Sequence, residues 1–176
     1  MQGSIAGLGA IFQMAFVPRD FGAAVKFWTE TVGAGPFFLS PRMTFDAARF
    51  RGGAPARLEM TVALGYWQDM QIELFDLHDD GPSTYHAYRD SGQSGIHHVA
   101  IQVDDKFAAA KQVEQRGGLI EQELSPENAL YYRIPGMGPI LELVQLAPEW
   151  QRAFDEMRQA ARQWDGANPL RPFPGT

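Results

Sequence analysis

Four polar side chains interrupt apolar, strand-like runs in this 176-residue chain: Gln13 in IFQMAFV, Glu73 in MQIELF, His98 in IHHVAIQV and Glu142 in ILELVQL. Taken singly, each has a bland explanation. A Glu in a half-exposed strand is ordinarily solvated, a His in an apolar strand is ordinarily packed, and a mid-strand Gln ordinarily serves a neighbour's hydrogen bond. Their places in the sequence argue otherwise. Gln13 and His98 fall at the same point of two similar stretches, QMAFVPRDF and HVAIQVDDKF, and Glu73 and Glu142 at the same point of IELFDL and LELVQL. Brought together, they offer one imidazole nitrogen and three oxygens. That set suits a hard or borderline divalent cation with positions left open for water or substrate. Without a cation, two buried carboxylates repel each other and are costly to desolvate.

The elements that must position these residues follow from period and punctuation. The pattern predicts a strand over 11–17, a helix over 21–32 capped by Asp20, a strand over 37–40, a loop over 41–56 with at most a short strand, and strands over 57–66 and 69–75. A polar connector, 77–95, holds at most one helical turn around Tyr85–Tyr88. The order then restarts: a strand over 96–103, a helix from Asp104 or Asp105 to about Gln115, strands over 119–124 and 130–134, a turn over 135–139 and a strand over 140–146. Pro148 starts a C-terminal helix carrying Trp150, Phe154, Met157 and Trp164, and 166–176 is extended. One α+β domain over 1–176 is expected. It comprises module one (about 11–76), the linker (77–95), module two (about 96–146) and a C-terminal helix and tail (147–176), with a βαβββ order repeated.

Composition narrows the function. Fifteen basic against 21 acidic residues give a net charge of −6, which leaves no broad basic field for nucleic acid or an anionic membrane. The absence of cysteine removes disulfides, zinc fingers, iron–sulfur clusters and thiol nucleophiles. No apolar run approaches the ~20 residues needed to span a bilayer, and Met1–Ala10 lacks the basic start of a signal peptide. A cytoplasmic protein is expected.

The stretches QMAFVPRDFGAAVKFW, MQIELFDLHDD, GIHHVAIQVDD and PILELVQL resemble the vicinal oxygen chelate superfamily, which includes glyoxalase I, methylmalonyl-CoA epimerase, extradiol dioxygenases and bleomycin-resistance proteins. The resemblance covers about Ile11 to Leu146. It implies paired βαβββ modules whose curved, eight-stranded mixed sheet encloses a cleft with a metal on its floor. It also implies one divalent ion, zinc first and otherwise cobalt, nickel, manganese or magnesium, held by Gln13, Glu73, His98 and Glu142. His97, on the opposite face by alternation, reads as packing. The ligand set is similar to that of zinc-type glyoxalase I. Gln13 in place of a His speaks against the ferrous chemistry of an extradiol dioxygenase. Val17 and Leu77 stand where glyoxalase I has its glutathione-binding Arg and Asn, so the resemblance does not carry glutathione binding over, and the choice between glutathione and coenzyme A stays open. Near Ala56, where the epimerase has a distal Glu, the nearest carboxylate is Glu59.

The reaction implied is that of an isomerase, epimerase or lyase. Paired substrate oxygens chelate the ion, and a carboxylate moves a proton through an enolate or enediolate, with Glu142 the first choice of base and Glu73 the second. A resistance-type binding protein is the first alternative, with Ile11, Ala15, Phe75, Ala100, Ile140 and Val144 as an apolar floor, and an extradiol-type dioxygenase the second. The partner is a small molecule. Arg49, Arg51 and Arg57, clustered with Arg42, are either solvated or a clamp on an anionic substrate tail. Tyr132 either lines the cleft or packs. A homodimer is compatible with the resemblance.

Overall fold

The structure, a computed structural model, describes residues 5–124, 129–136 and 138–174. Met137 of the expected turn, the first four residues, and Gly175 and Thr176 of the expected tail lie outside the described residues. The first module runs β1 (Ile11–Phe16), α1 (Phe21–Lys26), β2 (Phe37–Phe50), β3 (Ala56–Trp67) and β4 (Met70–Leu77). The linker carries α2 (Thr84–Asp90). The second module runs β5 (Ile96–Gln102), α3 (Lys106–Glu114), β6 (Leu119–Glu123), β7 (Ala129–Arg133) and β8 (Ile140–Val144), followed by α4 (Pro148–Arg162) and β9 (Leu170–Pro172).

The two modules start alike for a local reason. After β1, the Asp20 carboxylate accepts the Ala23 N–H at 2.8 Å. After β5, the Asp105 carboxylate accepts the N–H groups of Phe107 and Ala108, both at 2.9 Å. Each aspartate thus ends its strand by satisfying the first free donors of the helix that follows. The expected first helix changes character partway: α1 gives way to a π-helical stretch, Phe27–Val32, and Gly33 ends it in the left-handed region at φ 77°.

Strand pairing closes a ring. The order is β3-β4-β1-β5-β8-β7-β6-β2, with β2 also pairing to β3 and β9 added on β2. β1 and β4 are parallel, as are β5 and β8, whereas the two modules meet antiparallel at β1–β5. The sheet is therefore mixed, as expected of a curved eight-stranded ring. Ala15, Phe75, Tyr131 and Met60 face inward in the main core cluster, while α1 and α3 each cover a smaller apolar cluster on the outside. The close contact at Gly65 shows the packing density. A Cβ there would lie 2.9 Å from the Phe37 ring.

One element differs from the sequence expectation. Residues 41–50, read as a loop, continue β2 to a length of 14 residues. Pro41, the left-handed Arg42 (φ 49°) and register shifts between Ser40 and Met43 and between Phe45 and Ala48 break the alternation that would have revealed the strand. β2 pairs along 38–48 with β3 on one side. On the other it meets β9 at 37–39 and β6 at 49–50. Among the described residues no strand pairs with that side of β2 between these points.

Candidate metal centre

The four expected ligands lie in two rows across the four central strands. In one row, Glu73 of β4 stands opposite Ala15 of β1, Ala15 opposite His98 of β5, and His98 opposite Ile140 of β8. In the next, Gln71 stands opposite Gln13, Gln13 opposite Ala100, and Ala100 opposite Glu142. Residues directly opposite in a sheet share a face. A twofold operation between β1 and β5 exchanges Gln13 with His98, Ala15 with Ala100 and Glu73 with Glu142. Both alanines are fully buried, and their single methyl groups leave space between the longer side chains on either side.

That space is where the donor atoms meet. One ligand atom each from Glu73, His98 and Glu142 lies within 4.8 Å of the others. His98 Nε2 is 3.0 Å from a Glu142 oxygen and 3.3 Å from a Glu73 oxygen, but neither contact has hydrogen-bond geometry. Gln13 stands in the neighbouring row of the sheet. Its Nε2 donates to Gln71 Oε1 at 2.7 Å, and Gln71 Nε2 donates to the Tyr66 hydroxyl at 2.9 Å. This chain holds the amide, and Gln13 Oε1 is buried without a partner. A buried lone pair left unmatched is costly. Here Gln13 Oε1 has no partner and His98 Nε2 no hydrogen bond, beside two carboxylates, an arrangement that a divalent cation can satisfy. The donor set fits the ion that the sequence suggested.

Charge distribution agrees. Burial lowers the proton affinity of His98, but Glu142 and Glu73 beside it outweigh burial and push its pKa up to about 9. Burial raises the Glu73 pKa, with His98 opposing. In the absence of a metal, an imidazolium between two carboxylates supplies the positive charge. Binding of an ion displaces that proton.

Two residues outside the expected set matter. His97, read from sequence as packing, is indeed buried and stacks on Tyr85 with ring centroids 4.8 Å apart. Its Nδ1 is also 2.8 Å from His98 Nδ1. Burial, with the charge of His98, drives the His97 pKa well below the usual range. A neutral His97 accepts the His98 Nδ1–H, which leaves His98 Nε2 for the carboxylates or an ion. Gln71 is the other. Its signal was present in sequence: it shares a strand face with Glu73, and its twofold counterpart is the apolar Ile140.

The ligand cluster ends an internal cavity of about 370 Å³. Glu73, Glu142, Gln13, Tyr85 and Tyr131 line one end, and Met43, Phe45, Met60, Val62, Trp150 and Phe154 form much of the walls. Of the expected apolar floor, Phe75 and Val144 line the cavity. Ile11 is exposed instead, because a bulge between Ile11 and Gln13 turns the strand and brings Phe12 inward.

The expected substrate-binding residues stand elsewhere. Arg49, Arg51, Arg57 and Tyr132 do not line this cavity. Arg49 donates to the Gly53 carbonyl. Arg51 pairs with Glu121 at 2.7 Å, with Arg133 on the same carboxylate. Arg57 and Arg42 both pair with Glu59, so that carboxylate is turned away from the cavity too. Tyr132 donates to Glu114 at 2.8 Å. Sequence distance hides the Arg51–Glu121 pair, 70 residues apart, but not Arg57–Glu59, only two apart.

A closed ring of paired βαβββ modules with a His–carboxylate cluster on its inner face defines a single superfamily. The chain belongs to the Glyoxalase/Bleomycin resistance protein/Dioxygenase superfamily, whose model matches residues 12–129. Solved structures share the fold. Methylmalonyl-CoA epimerase from Mycobacterium tuberculosis is similar over 81% of this chain and 91% of its own, with 19% identity and a TM-score of 0.53. A hypothetical protein from Bacillus halodurans C-125 covers 78% of this chain and 94% of its own, with 14% identity and a TM-score of 0.55. A variant of Streptomyces coelicolor methylmalonyl-CoA epimerase, solved in complex with 2-nitronate-propionyl-CoA, covers 80% of this chain and 96% of its own, with 18% identity and a TM-score of 0.51. No sequence among the curated proteins matches the chain. Among the described residues, no helix is long and apolar enough to cross a membrane.

Proposed function

We propose that the protein is a divalent-metal-dependent enzyme of the isomerase, epimerase or lyase type that moves a proton at a carbon beside a substrate carbonyl. Gln13, Glu73, His98 and Glu142 hold the ion, and zinc is the first candidate. The observation that supports this reading most is the pair of buried, unpartnered atoms, His98 Nε2 and Gln13 Oε1, set beside two carboxylates. An ion bound there supplies a Lewis acid that polarises paired substrate oxygens and makes the adjoining C–H more acidic.

The protein's own groups do the rest. The sequence favoured Glu142 as base, but the geometry favours Glu73. The Glu73 side chain is 13% exposed and that of Glu142 8%, and Glu73 is the farther of the two from His98. Glu73 accepts the substrate proton and returns it, while Glu142 stays with His98. Tyr85 donates to Tyr131 at 3.0 Å beside them. Burial and then the nearby carboxylates raise both phenols well above their ordinary pKa, so they remain neutral donors. The apolar walls keep water from the carbanionic centre.

A second reading, capture of an apolar molecule without chemistry, draws support from those same walls. The experiment that separates the two is elemental analysis of untagged protein followed by solvent-deuterium exchange into candidate 2-oxo acids, thioesters and hemithioacetals. The enzyme reading expects a stoichiometric divalent ion and exchange at the carbon beside the carbonyl. It also expects Glu73→Gln to keep the ion, more weakly, and to lose exchange. Exchange that survives in Glu73→Gln and disappears in Glu142→Gln would move the base to the second module. Metal-free protein with no exchange would leave the binding reading.

A further inference from the structure

We infer that the substrate is a small molecule with an uncharged aryl or branched-alkyl tail, and that the cleft does not take a phosphorylated or multiply carboxylated carrier such as a coenzyme A or glutathione conjugate. This rests on the proposed reading, in which the polar end of the cavity takes the substrate's paired oxygens. The inference concerns what lies beyond that end.

Three observations carry it. The first is size. A cavity of about 370 Å³ is at the lower end of the 300–1,000 Å³ range of small-molecule sites. It has room for one ring and a short polar head. The second is wall chemistry. Met43 and Phe45 from β2 face Trp150 and Phe154 from α4. Trp150 packs edge-on against both Phe154 and Phe173, at 6.1 and 5.2 Å between centroids. Flat aromatic faces and flexible methionines suit an apolar group of variable shape.

The third is charge. Among the described residues, no Lys or Arg lines the cavity, while Glu149 adds a third carboxylate to Glu73 and Glu142. An outer groove, sharing Ser40, Met43 and Trp150 with the cavity, brings one cation, Arg152, beside Glu149 and Glu156. Arg42 and Arg57 are held by Glu59, Arg51 by Glu121, and Arg49 by the Gly53 carbonyl, all outside the cavity. An anionic carrier would meet a net negative approach and find no bidentate donor inside.

The test is calorimetric titration of the full chain, with and without zinc, using 2-hydroxyacetophenone, hydroxyacetone and propionyl-CoA. The first two carry the same adjacent oxygens and differ by a phenyl ring. Burial of that ring predicts binding of 2-hydroxyacetophenone roughly ten- to a hundredfold tighter than hydroxyacetone. Equal affinities, or propionyl-CoA binding as tightly as the aryl ketone, would overturn the inference. The zinc-free arm separates it from the reading on which it rests. Aryl preference that persists while zinc changes nothing refutes the metal function alone; zinc-enhanced binding without aryl preference refutes the substrate class alone. Met43→Lys places a cation on the half-buried wall and should weaken 2-hydroxyacetophenone about tenfold while improving its analogue with a carboxylate on the ring, 4-(hydroxyacetyl)benzoate. Trp150→Ala, at the exposed mouth, serves as a second variant with less demand on folding. If both bind 2-hydroxyacetophenone like the parent while keeping its circular dichroism, the ligand lies elsewhere.

Discussion

His98 carries opposite demands at one imidazole, and the neighbours decide which prevails. Two carboxylates hold a proton on it up to about pH 9, whereas an ion needs the same nitrogen bare. Its folded pKa exceeds the unfolded value of ~6.5. The stability it contributes is therefore fully present below about pH 6.5 and is lost as pH rises through about 9. Metal-free protein should show a falling melting temperature across that window, and His98→Gln should flatten the slope. Metal affinity should rise over the same interval, with about one proton released per ion at neutral pH, measurable by calorimetry in buffers of different ionisation enthalpy. His97 orients the ring from behind, 2.8 Å away. Loss of such a partner typically costs 10–100-fold in metal affinity. His97→Phe, which keeps the stacking on Tyr85, should show that loss with little change in secondary structure.

At the scale of elements, the candidate site is a matter of register. β1 and β5 put alanines exactly between the ligands only because each pairs its neighbour two residues out of step with the functional side chain: Gln13 opposes Gln71, not Glu73, and His98 opposes Ile140, not Glu142. Much of this was legible beforehand, since period-two alternation assigns each polar exception to a face and the repeat aligns the two modules. The second half of β2 was not, because Pro41 and two register shifts hide its alternation. Nor was the role of His97, which depends on its meeting His98 and the rings of α2 once that helix has packed. The partners of the arginines differ in reach: Arg51 meets Glu121 across the two modules, whereas Arg57 and Arg42 meet Glu59 within the first. Packing behind the site is tight where β3 crosses Phe37. Gly65→Ala forces a methyl to within 2.9 Å of that ring and should cost about 1–3 kcal/mol. For a chain of this size each kcal/mol lowers the melting temperature by roughly 2–4 °C, which differential scanning calorimetry resolves.

For the whole molecule, the candidate site joins both modules: Glu73 comes from the first, and His98 and Glu142 from the second. An ion that binds the folded chain alone therefore stabilises the β1–β5 seam along with everything that depends on it. At a free concentration one hundred times its dissociation constant, it should add about 2.7 kcal/mol, or roughly 5–11 °C in melting temperature. Thermal scans against zinc, cobalt, nickel, manganese and magnesium should rank the ions. A melting temperature indifferent to all five would count against the metal reading.

The stretch of β2 without a strand on its second side has a bearing on solubility. Exposed strand edges invite pairing with other molecules. Along this one, Pro41 has no N–H to offer, Arg42 leaves the extended conformation, and exposed Asp46 puts charge on the rim. α4 and the three-residue β9, which ends in Pro172, stand at its flank. This unpaired flank of β2, whose Ser40, Met43 and Phe45 line the cavity, is thus a place where the chain would meet its own copies, and its irregular residues discourage that encounter.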